Sequence, residues 1–170
     1  MGRIVALALC ALIFSIPVAK ACAPGCENFK WSLAETQKRL KADDLPVARS
    51  GGTLEGGEAA AFVLALVAED DVDFARPPER GRDKEDASIK GGVVRFTPAR
   101  GGTYQVSLSG AAWIDLVQNG ALVPSTDHTG SADCPGLRKS VRFSLEAAPV
   151  TLQVSASEMA QIRIAIEKVD

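Results

Sequence analysis

Beyond Gly51, hydrophobic and polar residues alternate along much of the chain with a period of two. Val94 and Phe96 lie on one face of 93–97 with Arg95 on the other, and Tyr104, Val106 and Leu108 oppose Gln105 and Ser107. The same alternation returns in Val141, Phe143 and Leu145, in Val150, Leu152 and Val154, and in Ile162, Ile164 and Ile166. Successive side chains of an extended chain point to opposite faces, so each set predicts a strand with one face in a core. Residues 61–68, AFVLALVA, are apolar on both faces. That suits a strand covered on both sides, with a buried helix as the alternative. Gly51-Gly52, Gly91-Gly92, Gly101-Gly102, Asn119-Gly120 and Ala148-Pro149 mark turns between these segments. Asn119-Gly120 is the strongest hairpin signal, because both residues accept the positive φ of a type I′ turn. Short strands separated by such turns predict two packed antiparallel sheets, a mainly β sandwich.

One segment has helical spacing instead. Ser32 and Glu35 stand as in a capping box and predict a helix over about residues 33–42. Leu33, Gln37 and Leu40 share one face, Lys38, Arg39 and Lys41 sit toward the C-terminal end where cations suit the helix dipole, and Pro46 prevents continuation.

The first 21 residues read as a secretory signal peptide: Arg3, the apolar stretch Ile4 to Val18, and an Ala19-Lys20-Ala21 cleavage site. The apolar stretch is shorter than the roughly 20 residues a membrane-spanning helix needs, so no membrane span is expected once the signal is removed. Ala19 and Lys20 depart from the residues that usually precede a lipidated cysteine, making Cys22 a poor lipidation site. The chain divides into a signal (1–21), an N-terminal segment with the short helix (22–50) and a β-sandwich domain (51–170). Export, periplasmic or secreted, puts Cys22, Cys26 and Cys134 in an oxidising compartment. Cys22 or Cys26 can pair with Cys134, or the two can pair with each other, leaving one thiol spare. We favour Cys26 with Cys134, which ties the N-terminal helix to a distant loop.

Composition narrows the chemistry. The 170 residues carry 19 Lys and Arg against 21 Asp and Glu, a formal charge of -2; losing Arg3 and Lys20 leaves 17 against 21, or -4. No basic footprint for nucleic acid is present. His128 is the sole imidazole. Sites needing two or more histidines, such as the two-His, one-carboxylate iron triad or an HExxH zinc helix, are thereby excluded, and no metal or cofactor is expected.

Two long segments interrupt the strand pattern. Residues 69–90 are dense in charge and broken by Pro77 and Pro78, as expected of a solvated loop; the spacing of a calcium-binding EF-hand is absent. Residues 125–140, STDHTGSADCPGLRKS, gather His128, Cys134, Arg138 and Lys139 in what reads as one loop. On the strand 112–118, Trp113, Asp115 and Val117 share one face and Ile114 and Leu116 the other. An indole beside a carboxylate suits recognition of a polar ligand, while the plainer reading packs Trp113 inward and pairs Asp115 with Arg138, Lys139 or Arg142. Arg138, Lys139 and Arg142 form a basic cluster, either an anion clamp or partners for acidic residues. His128 with Asp115 or Asp127 and Ser125 or Ser140 has the residue types of a nucleophilic triad, but a triad is defined by geometry, and no G-x-S-x-G elbow is present.

Residues 102–109 (GTYQVSLS) and 113–120 (WIDLVQNG), followed by His128-Thr129-Gly130, Cys134-Pro135-Gly136 and 138–143 (RKSVRF), together with 26–31 (CENFKW), resemble a family of small secreted proteobacterial proteins. The likeness covers nearly the whole mature chain and implies no particular activity. Members are sometimes labelled homogentisate 1,2-dioxygenase, a reaction that needs an iron held by several histidines, which a chain with only His128 cannot assemble. The order of strands also resembles the jelly-roll-like bacterial pre-peptidase C-terminal domain, a non-catalytic accessory module.

The expected function is an exported, non-catalytic binding or accessory module of the bacterial envelope. Its partner would be a polar ligand, a glycan or an envelope protein, engaged through Trp113, Asp115, His128, Arg138 and Lys139. The alternatives are a small hydrolase-like enzyme using His128 and Asp115, and a structural envelope protein.

Overall fold

The computed structural model describes residues 24–55, 59–80 and 88–169. The expected signal peptide and Cys22 lie outside them. Two of the described turns are 3-10, at Cys26–Asn28 and Glu69–Asp71, and one helix, α1, spans Ala34–Leu40. The strands are β1 (Val47–Arg49), β2 (Gly52–Thr53), β3 (Ala59–Ala65), β4 (Val67–Ala68), β5 (Lys90–Phe96), β6 (Gly102–Leu108), β7 (Trp113–Gln118), β8 (Ala121–Leu122), β9 (Ser125–Gly130), β10 (Lys139–Leu145), β11 (Val150–Ser157) and β12 (Gln161–Lys168).

They form two six-stranded sheets. The first runs β1-β3-β12-β6-β10-β9; the second runs β2-β5-β11-β7-β8, with β4 also on β5. Pairing is antiparallel except at two margins, where β1 joins β3 and β2 joins β5 in parallel. The architecture is the expected two-sheet β fold, with mixed rather than purely antiparallel sheets. Alternate residues of both sheets, including Phe62, Leu64, Val94, Tyr104, Val106, Leu108, Leu116, Phe143, Leu152, Ile164 and Ile166, close one core between them. The apolar run 61–68 is not one strand: at Leu66 the chain leaves β3 in the first sheet for β4 in the second. Its outer face is partly covered, with Ala61 packed under the helix.

The residues opposite the core are polar, yet many are buried, because each outer face carries a cover. Over the first sheet lies the segment 24–42. It builds a second small core from Leu33, Leu40, Cys134, Leu137 and Ala165. Polar groups beneath it are paired: Thr36 Oγ1 donates to Glu167 Oε2 at 2.6 Å, Gln105 donates to the same oxygen at 3.2 Å, and Arg39 pairs with Glu167 Oε1 at 2.9 Å. The Cys26–Cys134 disulfide is formed and closes a span of 108 residues. Gln37 Nε2, on the helix face predicted to pack, meets both sulfurs at 3.3 Å and donates to Pro135 O at 2.8 Å. The predicted capping box does not form. Leu33 is the N-cap residue, without a side-chain cap bond, and the helix is shorter than expected. Its C-terminal carbonyls are instead taken by Arg163, which donates to Leu40 O at 2.8 Å and Ala42 O at 2.7 Å. A tertiary cation thus ends the helix where the local sequence offered three lysines and arginines.

The second sheet is covered by the stretch 69–80, expected to be a solvated loop. Here it is a strap. Gln153, 1% exposed, accepts from Arg76 N–H at 3.1 Å and donates to Arg76 O at 3.0 Å. Ser155 Oγ donates to Arg80 O, and Glu69 Oε2 accepts from Ala156 N–H at 2.7 Å. Buried polar side chains on the outer face therefore hydrogen-bond to the backbone of a charged segment, while Asp70, Asp71, Asp73 and Arg76 of that segment stay exposed to water.

Candidate functional site

The site is built at the side of the sandwich where neither sheet is complete. The β7–β8 hairpin turns through Asn119 (φ 54) and Gly120 (φ 74), as the Asn-Gly pair predicted. But β8 holds only two residues, and Pro124 follows soon after, so β8 pairs only with the far end of β7. Val123 N–H donates to Leu116 O at 2.8 Å. Antiparallel pairing alternates, so Ile114 turns its own N–H and C=O toward the same edge, where among the described residues β8 does not continue. A pocket of about 240 Å³ opens there, lined by Glu79, Trp113, Ile114, Asp115, Val123, Ser125, His128, Lys139, Val141 and Phe143. Its floor is the margin of the core, formed by the buried Ile114, Val141 and Phe143 with the half-buried Val123.

The opposite wall is β9, the outermost strand of the first sheet. The predicted loop 125–140 begins with this strand and ends in β10, so His128 stands on a strand. An all-polar segment can be a strand here because an edge needs only one partner and tolerates polar side chains. Val141 pairs with His128 and Phe143 with Ser125, the register slipping by one residue between them. That bulge matters for the site. Residues three apart would face opposite ways in a regular strand; the extra residue brings Ser125 and His128 to the same, inner side. The outer side of β9 is held by the N-terminal cover. Lys30 pairs with Asp127 at 2.7 Å and its N–H donates to Thr129 Oγ1 at 3.0 Å. The Lys30 ammonium holds the Asp127 carboxyl below the usual carboxylate range.

Trp113 and Asp115 begin β7 on its outer face, whereas Lys139 begins β10 on the inner face of the other sheet. They meet around the open edge. Lys139 Nζ lies 4.4 Å from the Trp113 ring centroid, and Arg80, from the strap, lies 5.1 Å away. Asp115 accepts from Trp113 Nε1 at 2.8 Å through one oxygen and from Glu79 N–H at 3.0 Å through the other. Burial pushes its carboxyl above the usual range, against these two bonds, which favour the ionised form. Burial lowers the Lys139 ammonium, with Arg80 acting in the same direction and the Asp115 carboxylate opposing them.

Of the five candidate residues that the sequence offers, Trp113, Asp115, His128 and Lys139 line this pocket. Arg138 lines an adjoining hollow of about 220 Å³ together with His128, Lys139, Thr129 and Gly130. The basic cluster itself divides: Arg142 points to the other face, 4.0 Å from the Trp31 ring and 3.3 Å from Gln105 Oε1. Asp115 makes no salt bridge with Arg138, Lys139 or Arg142; it serves as an acceptor for the indole and the strap. The ring of His128 makes no hydrogen bond to Asp115 or Ser125. Glu79, Arg80, Val123 and the apolar floor carry no distinguishing signal in the sequence. Arg80 is one cation among several in a charge run, and the floor residues read as ordinary core.

Among the described residues, no group of three or more His, Cys, Asp or Glu side chains is placed to hold a metal ion, and no helix is long and apolar enough to cross a membrane. Neither a protein-family model nor a curated protein sequence matches the chain.

Proposed function

We propose that the protein is an exported, non-catalytic binding module of the bacterial envelope that takes a polar ligand in the pocket beside Trp113. The observation that carries this reading is the convergence, at one gap in the sandwich, of an indole, an ammonium, an imidazole and a carboxylate around an apolar floor. A few polar groups over apolar walls are what small-ligand sites require. The disulfide is compatible with an oxidising compartment, and the signal-like N-terminus supports export. The non-catalytic form is favoured because both oxygens of Asp115, the acid that the hydrolase reading pairs with His128, are engaged by protein donors.

Trp31→Phe leaves Trp113 as the only indole and makes its emission a reporter of the pocket. Titration of this variant with glycans, small organic acids, amines and envelope-derived peptides is expected to give a saturable change with at least one class, and the ligand is recovered unaltered. Absence of saturation across the panel would refute binding at this site in favour of a structural role. Ligand turnover that is lost in His128→Ala would refute the non-catalytic reading.

A further inference from the structure

The groups at this pocket are unequally satisfied, and the inequality indicates what kind of ligand belongs there. Asp115 has a donor on each oxygen. The cations do not. Among the described residues Arg80, Arg138 and Lys139 make no ion pair, and the only side-chain hydrogen bond from this trio is a long one, 3.5 Å, from Lys139 Nζ to Ala112 O. Lys139 is only half-exposed; the Asp115 carboxylate acts on it favourably from a distance, but among the described residues no carboxylate pairs with the ammonium directly, and partial withdrawal from water is costly. The Trp113 ring answers part of that cost through its face, but it cannot accept hydrogen bonds as an anion does. The arrangement occurs in a chain whose formal charge is negative.

Among the described residues two carboxylates, Asp115 and Glu79, line the pocket with Lys139, while Arg80 lies against the Trp113 ring and Arg138 lines the adjoining hollow. Asp115 is turned onto protein donors; Glu79 lines the pocket with a carboxylate that has no ion-pair partner among the described residues. Taken over the pocket and the hollow beside it, the described cations Lys139, Arg80 and Arg138 outnumber these two carboxylates, and both arginines act on Lys139. Below the rim the lining changes character, to Ile114, Val123, Val141 and Phe143. At the same edge β8 pairs with β7 only at Val117 and Gln118, so among the described residues no strand lies beside the backbone of Ile114 on that side.

Resting on the reading that this pocket binds a ligand, we infer that the ligand is an organic carboxylate with an apolar body, its acid group on Lys139 and Arg138 and its apolar part on the floor between the sheets. A free small acid and the C-terminus of a peptide share this chemistry. The peptide would in addition meet the open backbone groups of Ile114, as strands do when they add to a sheet edge.

The test uses the mature Trp31→Phe protein and four probes: octanoate, octanol, octylammonium, and a short peptide ending in valine with a free or an amidated C-terminus. Octanoate is expected to saturate the Trp113 signal, and octanol to bind at least about tenfold more weakly, as loss of one charge-assisted hydrogen bond implies. Lys139→Met and Arg138→Gln should each weaken octanoate by about tenfold and leave octanol unchanged. Added salt should weaken the acid selectively. Circular dichroism of both variants separates lost binding from lost fold. If the free-acid peptide binds more tightly than octanoate and its amide does not bind, the source is a chain terminus; the reverse order assigns a small acid. Octanol or octylammonium binding as tightly as octanoate would overturn the inference while leaving a ligand pocket in place. If none of the probes saturates but a glycan does, the inference again fails alone. If neither these probes nor the wider panel saturates, the binding reading fails with it.

Discussion

Replacing Cys26 and Cys134 together by alanine tests how far the N-terminal cover depends on its covalent tie. The bridge spans 108 residues. Cross-linking a loop of that length lowers the entropy of the unfolded chain by an amount worth about 4.7 kcal/mol at 25 °C. The native side of the balance changes little. Cys134 is 5% exposed within the small core of Leu33, Leu40 and Leu137, and Gln37 retains its 2.8 Å bond to Pro135 O when the sulfurs are gone. No buried polar group is orphaned, so the loss should lie near the entropic figure, about 3–5 kcal/mol, reduced by whatever structure the unfolded chain retains. Both cysteines are replaced because Cys22 is close in sequence to Cys26 and would offer a substitute thiol. Urea unfolding of the mature chain, followed by tryptophan emission and circular dichroism, measures the difference. The slope against urea should rise, since an uncross-linked chain exposes more surface. A loss below about 1 kcal/mol with an unchanged slope would refute the reasoning and mean that non-covalent packing alone holds the cover.

Other outcomes follow from the same geometry. Asp115→Asn removes a carboxyl whose folded value is raised by burial; the native state therefore takes up its proton before the unfolded chain does. Wild-type stability relative to the variant should rise as pH falls through that raised value toward about pH 4, and a difference that stays flat or falls with acid would contradict the burial of this group. Gln153→Leu severs both bonds to Arg76 and should cost about 1–2 kcal/mol while accelerating proteolysis within 69–80, read by timed digestion; equal cleavage rates would show that the strap does not depend on Gln153. Gly25→Ala meets both a φ of 82° and a Cβ position 2.6 Å from Asp133 C and Cβ, so a loss above about 2 kcal/mol is expected in thermal melts. If the protein is exported as proposed, its intact mass without reductant should match a chain beginning at Cys22 with one disulfide; a chain retaining residues 1–21 would contradict export.

The covers show where local pattern stops being informative. Gln105 and Ser107 form the polar face of a predicted strand, opposite core residues, yet both are buried, as are Ser140, Gln153 and Ser155 on the polar faces of β10 and β11. Alternation identifies two faces of a strand. It does not say whether a later or earlier segment returns to lie on the polar one. The Ser32–Glu35 spacing failed for a related reason: Leu33 and Leu40 enter a core with Leu137 and Ala165, and that packing sets where the helix begins and ends.

Residue order alone determined the strands β5, β6, β7, β10, β11 and β12, the Asn119-Gly120 hairpin and the two-layer fold, because side-chain direction along an extended chain and the φ tolerance of a turn are local properties. Trp113, Asp115, His128, Arg138 and Lys139 also stand out by residue type alone, as rare or charged side chains among aliphatic strands. Their meeting was decided by the tertiary fold. It required a short β8 that leaves β7 open, a one-residue slip that turns Ser125 and His128 the same way, and a strap that carries Glu79 and Arg80 across the second sheet. Each of these depends on contacts between segments far apart in the chain, whose relative placement is set by the common core and not by any window of neighbouring residues.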